Sequence, residues 1–238
     1  MSNIYTIIRK ELAGYFNSPV AYIFMGVFLV LSSWIFFQKF FLISQATMRW
    51  YFDFLPWVFL LLIPAVTMRS FAEEKKNGTL ELLLTLPVRD WEVVLGKFLS
   101  GLIFIIITVL FSLSIPFTIN YLGDLDFGPV LGGYLGAFFL AGAYLSLALF
   151  ISSLSRNQVV AFIVATASIF FLFILGTSFV LNSLPFFLIP LVKFLSPWPH
   201  FSNIGRGVLD TRDLIYYLSF IFFFLWLSVQ SLESRNWK

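Results

Sequence analysis

The stretch Leu131–Leu154, LGGYLGAFFLAGAYLSLALFISSL, carries no charged side chain. A helix needs about 20 apolar residues to cross a hydrocarbon core roughly 30 Å thick, rising about 1.5 Å per residue. This run meets that length. Its small residues recur at four-residue spacing: Gly132 with Gly136, Gly133 with Ala137 and Ala141, and Gly142 with Ser146. Such faces let helices approach closely. They serve either as a seam between moving helices or as ordinary bundle packing, and the expectation is ordinary packing.

Working outward, five more stretches resemble the first: Val20–Phe37, Phe52–Met68, Phe98–Ile119, Gln158–Leu184 and Leu214–Leu232. The run at 52–68 is short and leans on Asp53 and Arg69 at its ends. The run at 158–184 is long, which predicts a tilt or a break. The first run is too long for a cleaved signal peptide and lacks a small-residue cleavage site after it, so it reads as an anchor. Composition agrees. The 238 residues are 60% hydrophobic and 11% charged, with a mean hydropathy of +0.93. A soluble domain carries about twice that charged fraction. Phe reaches 32 residues, suited to lipid-facing surfaces. The expected fold is an all-α polytopic membrane protein with six transmembrane helices.

The basic residues predict orientation. With both termini on one side, that side holds Arg9, Lys10, Arg69, Lys75, Lys76, Arg89, Lys97, Arg156, Arg235 and Lys238. The other side holds Lys39, Arg49, Lys193, Arg206 and Arg212. Loops rich in Lys and Arg stay in the cytoplasm. Both termini and the 69–97 loop are therefore expected there. In a membrane protein these residues set topology, so the net charge of +3 is not read as nucleic-acid affinity.

Residues 3–17 place Ile4, Tyr5, Ile8, Leu12, Tyr15 and Phe16 on one helical face, with Arg9 and Lys10 mostly opposite. This pattern predicts an interfacial helix lying on the cytoplasmic leaflet, ended by Asn17-Ser18-Pro19. Glu11 falls on the apolar side, where a carboxylate is costly without a partner; the expectation is that it snorkels to water. On the opposite side, Pro185–Leu195 is too short to span and is broken by Pro190. Residues 185–212 are read as an outer re-entrant or interfacial segment. Its Trp198, His200, Arg206 and Arg212 form either a partner surface or part of a lid over the bundle.

The interiors of the six runs hold no Asp, Glu, Lys, Arg or His. Ion-coupled transporters and voltage sensors need ionisable groups at membrane depth. The chain has no G-x-x-x-x-G-K-[ST] phosphate loop, so any ATP-driven process needs a separate ATPase. Cysteine is absent and His200 is the single histidine. That leaves no Cys-ligated zinc, thiol nucleophile, Ser–His pair or intramembrane Asp pair for a membrane protease. No catalytic, cofactor-binding or metal-binding residues are expected. A passive channel would need a polar pore stripe, which the spans do not show.

The loop from Arg69 to Lys97 reads RSFAEEKKNGTLELLLTLPVRDWEVVLGK. Glu73, Glu74, Lys75 and Lys76 extend a helix out of the membrane. Asn77-Gly78 stops it, since glycine readily takes the left-handed cap geometry. Thr79 is an N-cap candidate for a short helix over Leu80–Leu86 that Pro87 ends. Asp90 is expected to cap the third span, with Glu92 in its first turn. The leucines of the short helix want a covering surface, which could be lipid headgroups, the 3–17 helix or a soluble protein.

The run Phe71-x-x-Glu74-x-x-x-Gly78-Thr79-Leu80-Glu81-x-Leu83-Leu84-x-x-Pro87, followed by Gly96-Lys97-Phe98, resembles the signature of ABC-2 type permeases. The resemblance extends over the whole chain, as one domain over 1–238. It implies that residues 1–19 are an elbow helix and that 69–97 is a coupling loop resting on an ATPase. ATPase coupling then falls to Glu73, Glu74, Gly78, Thr79, Leu80, Glu81, Leu82, Leu83, Leu84 and Pro87, beside Arg9, Lys10 and Glu11 of the elbow helix. The runs Pro64–Phe71, Ser155–Phe162, His200-Phe201, Arg206–Asp210 and Leu232–Trp237 look like the permease subunit of gliding-motility-associated ABC transporters. The family implies a bacterial inner membrane and an ATPase dimer that binds ATP and Mg. It also implies a second permease copy or paralogue and, often, a companion membrane protein with a large extracytoplasmic domain. Export and a mechanical role on an external partner are both open at this stage.

Overall fold

The computed structural model describes residues 3–43, 45–79, 88–208 and 210–234. These form helices and connecting turns with no strand. The elements are α1 (Asn3–Phe16), α2 (Pro19–Ile43), α3 (Arg49–Thr67), α4 (Ala72–Lys76), α5 (Asp90–Phe111), α6 (Ser114–Leu122), α7 (Phe127–Leu154), α8 (Gln158–Leu175), α9 (Ser178–Leu181), α10 (Ile189–Leu195), α11 (Pro197–Gly205) and α12 (Thr211–Glu233). Among the described residues, six helical segments are long and apolar enough to cross a membrane. They are 19–42, 49–76, 90–122, 127–154, 158–175 and 211–233. The chain is an all-α polytopic membrane protein, as its sequence predicts.

α7 is the hub. It packs against α3, α5, α8, α11 and α12, and most of its residues are buried. Its small side chains make this possible. A Cβ added at Gly132 would lie 2.5 Å from the Ile204 carbonyl oxygen of α11, and one at Gly133 would lie 2.3 Å from the Phe52 ring of α3. At Gly142 it would approach Ile221 of α12 to 2.9 Å. The four-residue spacing thus serves close packing against three different neighbours. Most directions around the helix meet protein, Leu131 and Leu135 near its start excepted, which is why its apolar residues run nearly all round it.

The outer helices behave oppositely. α2, α8 and α12 bury one seam and turn Trp34, Val30, Ile163, Phe171, Ile215 and Phe222 outward. In water such a surface would be untenable; against lipid tails it costs nothing. Phe28 of α2, fully buried, stacks on Phe59 of α3 at 6.2 Å between ring centres.

The third span differs from the sequence reading in its start and its cap, and the fifth agrees with it. The helix of the third span runs from Asp90, eight residues before the apolar run at 98–119, so Lys97 lies two turns inside α5 and the connecting segment ends at Arg89. Its N-terminus is capped by Glu92, whose Oε2 accepts the Arg89 N–H at 2.9 Å, and Asp90 is the first helical residue. The fifth span breaks at Gly176-Thr177, as its length predicts, and continues as the single turn α9.

The expected outer segment folds back on the bundle. Ser196 caps α11 and its hydroxyl donates to the Leu172 carbonyl at 2.7 Å. Tyr216 and Tyr217 of α12 donate to the carbonyls of Leu195 and Pro197 at 2.7 and 2.8 Å. The carbonyls of Leu172 and Leu195, in the last turns of α8 and α10, and of Pro197, the first residue of α11, thereby gain side-chain donors.

Candidate functional site

α1 lies along the first turns of α5, and the contact depends on Gly96. A Cβ there would sit 2.5 Å from Ile7 Cγ2. Tyr15 stacks on Phe104 with ring centres 5.2 Å apart, and Phe16 meets the same ring edge-on. Asn3 Nδ2 donates to Glu92 Oε2 at 3.1 Å. The amphipathic pattern of residues 3–17 is therefore used against protein, on the first turns of α5.

Beside Gly96, Lys97 projects into the junction of α1, α4 and α5, with only 2% of its side chain exposed. Its Nζ donates to Glu11 Oε1 at 3.0 Å and to Glu74 Oε1 at 2.8 Å. The Phe71 ring lies under it at 5.3 Å. A lone ammonium in this position would be forced to give up its charge; two carboxylates hold it charged. The expectation that Glu11 snorkels to water is thus corrected. It turns inward because a buried cation awaits it there.

The junction carries one positive and two negative charges, and Glu74 Oε2 is buried without a hydrogen-bond partner. Glu74 is therefore held through one oxygen only. Tyr15 borders the site, and its phenol is pushed above the ordinary range by desolvation and by the Glu11 carboxylate. It stays neutral at any physiological pH.

The segment after α3 is fixed from a second direction. Ser152 Oγ of α7 accepts the backbone N–H groups of Phe71 and Ala72 at 3.2 and 3.3 Å. It stands where the start of α4 would otherwise leave donors orphaned. Lys75 Nζ donates to the Ser153 carbonyl. Ser231 Oγ of α12 reaches that same carbonyl at 3.4 Å. α4 ends at Asn77, and Gly78 follows at φ 70°, the left-handed geometry its position predicts. Thr79 Oγ1 donates back to the Glu74 carbonyl at 3.3 Å.

Of the residues singled out from sequence, Glu11 and Glu74 meet at Lys97. Glu73 is half-buried in the wall of an adjacent cavity. Arg9 and Lys10 are exposed. Leu80, Glu81, Leu82, Leu83, Leu84 and Pro87 lie outside the described residues. The sequence reading missed Lys97 as an organising residue, and it missed Ser152 and Ser153 altogether. A signal for Lys97 existed: a lysine among apolar residues and a glutamate on an apolar helix face are complementary oddities. Nothing in sequence marks the two serines.

The opposite side holds a second polar cluster. His200 Nδ1 lies 2.6 Å from Asp213 Oδ1, and Asn203 Nδ2 donates to Asp213 Oδ2 at 3.3 Å. The His200 ring stacks on Tyr216 at 4.0 Å, and Trp198 packs edge-on against Phe173. Trp198 and His200 thus pack inward, while Arg206 and Arg212 are exposed. Among the described residues no group of His, Cys, Asp and Glu is arranged to hold a metal.

The family model described as ABC-2 family transporter protein matches residues 38–229. That range includes Glu74, Lys97 and Ser152 and begins after α1. No curated protein matches the chain.

Proposed function

The chain belongs to the ABC-2 transporter family as a membrane-spanning permease subunit, and from that premise we propose that it couples ATP hydrolysis on a separate ATPase dimer to export across the inner membrane. The observation that carries the coupling is the Lys97 junction. One buried ammonium ties α1, α4 and α5 together, and Ser152 and Ser153 tie α4 to the hub helix α7. Displacement of the segment around Glu74 is thereby transmitted to the elbow helix and to two spans at once. Packed helices move as rigid bodies under such a load.

The 69–97 loop is the docking element in this reading, with Glu74 acting through the Lys97 junction and the leucines of 80–84, which lie outside the described residues, assigned to the ATPase contact. The unpartnered Glu74 Oε2 supports a junction with more than one arrangement, since a buried acceptor without a donor is costly and gains by finding one. A second permease copy or paralogue completes the pathway. The sequence resemblance to gliding-motility permeases adds a companion with an extracytoplasmic domain, for which exposed Arg206 and Arg212 are the contact we assign.

The deciding experiment is ATP turnover of the permease–ATPase complex reconstituted in lipid, with Glu74→Lys. The charge reversal places two ammonium groups together and is expected to lower permease-stimulated turnover at least several-fold while the protein still inserts. Turnover equal to wild type removes Glu74 from the coupling path.

A further inference from the structure

A cavity of about 360 Å³ opens beside the Lys97 junction, between α1, the start of α2, the end of α3 and α4. Its volume falls within the range of about 300–1,000 Å³ found for small-molecule sites. The lining is divided along the helix axes. At the α4 end it is ionic: Lys10, Arg69 and Glu73, with Glu11 and Glu74 of the junction beside them. One to two turns deeper it is apolar, formed by Val20, Phe24, Ala65, Val66 and Phe104. Such a division matches a molecule with a charged head and a hydrocarbon tail that lies at the membrane boundary.

The charges select the head. Among the described residues, Lys10, Arg69 and Glu73 have no ion-pair partner, and none of their side chains is engaged in a hydrogen bond. The two cations suit a phosphate, through charge-assisted hydrogen bonds. Glu73 and the net negative charge left at the junction by two carboxylates against one ammonium suit a second, cationic group on the same head. A purely anionic head would face Glu73 and the junction unfavourably. A quaternary ammonium would bring charge but no N–H to donate.

We propose that this cavity binds a zwitterionic phospholipid with a primary amine, its phosphate on Lys10 and Arg69, its ammonium on Glu73, and an acyl chain against Phe24 and Val66. The site is formed by the permease alone and does not depend on the coupling reading above.

Gly14 allows the site to be filled without disturbing the fold. It lines the cavity, and a Cβ added there meets nothing within 4 Å. The test places wild-type protein, Gly14→Leu and Glu73→Gln in nanodiscs of equimolar phosphatidylethanolamine, phosphatidylglycerol and phosphatidylcholine. Lipids retained after release into detergent are counted by native mass spectrometry. The expected result is retention of phosphatidylethanolamine several-fold above the other two in wild type. Gly14→Leu should lose most of that lipid. Glu73→Gln should keep a bound lipid but no longer separate phosphatidylethanolamine from phosphatidylcholine. Equal retention of all three lipids by wild type overturns the proposal, as does a preference for phosphatidylglycerol or a phosphatidylethanolamine preference unchanged in both variants. Thermal unfolding of Gly14→Leu at or above the wild-type temperature shows that its loss of lipid is not a loss of fold.

Discussion

Lys97 Nζ lies 2.8 Å from Glu74 Oε1, although 23 positions separate them in sequence and one belongs to α5 while the other belongs to α4. Glu11 reaches the same nitrogen from 86 positions away. Both carboxylates are four-fifths buried or more, at 18% exposed, and the ammonium is at 2%. Such an arrangement gains little net stability over an apolar equivalent, because desolvation offsets the attraction. What it adds is a fixed relation between three chain segments, which apolar contacts alone would let slide.

Removing the cation should therefore be severe. Lys97→Met leaves two carboxylates facing each other without a counter-charge. Loss of one partner of a buried pair costs about 3–5 kcal/mol. Thermal unfolding in detergent is expected to show a clear drop for Lys97→Met. Glu11→Gln and Glu74→Gln should each cost less, since one ion pair survives. In a double-mutant cycle the two glutamine variants should be non-additive by about 0.5–3 kcal/mol, the range for residues sharing one network. Strict additivity would mean that Lys97 does not couple the two segments.

Ser152 offers a cleaner separation of coupling from insertion. Ser152→Ala leaves the N–H groups of Phe71 and Ala72 without their acceptor, at a cost of about 1–3 kcal/mol for an unsatisfied buried donor. The bundle around α7 gains no clash from the change. Backbone hydrogen exchange should speed up at Phe71 and Ala72 while the interior of α7 keeps its protection. Unchanged exchange at both positions would show that α4 is held without this hydroxyl.

Leu131–Leu154 was legible as a span because a long uncharged run has one stable state in lipid, although its helix starts four residues earlier, at Phe127. The cap at Gly78 was legible because left-handed backbone favours one residue type. The Lys97 junction was not. Composition counted Lys97 among the residues that set topology, and only a tertiary contact distinguishes a lysine that marks the cytoplasmic side from one that binds two carboxylates. Glu11 was recognised as costly on its face, but a helical wheel does not contain the surface that α5 supplies. The serines at 152 and 153 were hidden for a different reason: a small hydroxyl suits a close-packed helix whether or not it also accepts a hydrogen bond.

The glycines should divide sharply. Gly132→Ala drives a methyl to 2.5 Å from the backbone oxygen of Ile204, which has no rotamer by which to move away. Overpacking of this kind costs about 1–3 kcal/mol, and the outer segment 197–205 is expected to loosen first. Gly14→Ala and Gly26→Ala meet open space within their helices. Each should be neutral or stabilising by up to about 1 kcal/mol, since alanine is the better helix former. Thermal unfolding of the three variants side by side tests the contrast. An equal effect at Gly132 and Gly14 would mean that α7 does not approach α11 as closely as the structure shows.

Orientation is open to direct measurement because the chain has no native cysteine. Asn77 and Arg212 are both exposed and lie at opposite ends of the bundle. The first follows α4, on the cavity that α1 also lines; the second opens the last span. Six spans return the chain to the side on which it began, and the basic residues fall ten against five in favour of that side. The positive-inside rule then places Asn77 in the cytoplasm and Arg212 outside. A membrane-impermeant maleimide added to intact cells should label Arg212→Cys and leave Asn77→Cys untouched until the cells are broken. The reverse pattern would place the 69–97 segment where no ATP-bound partner can reach it. The Lys97 junction would then stand as a structural clamp alone, and the proposed coupling would fall with the orientation.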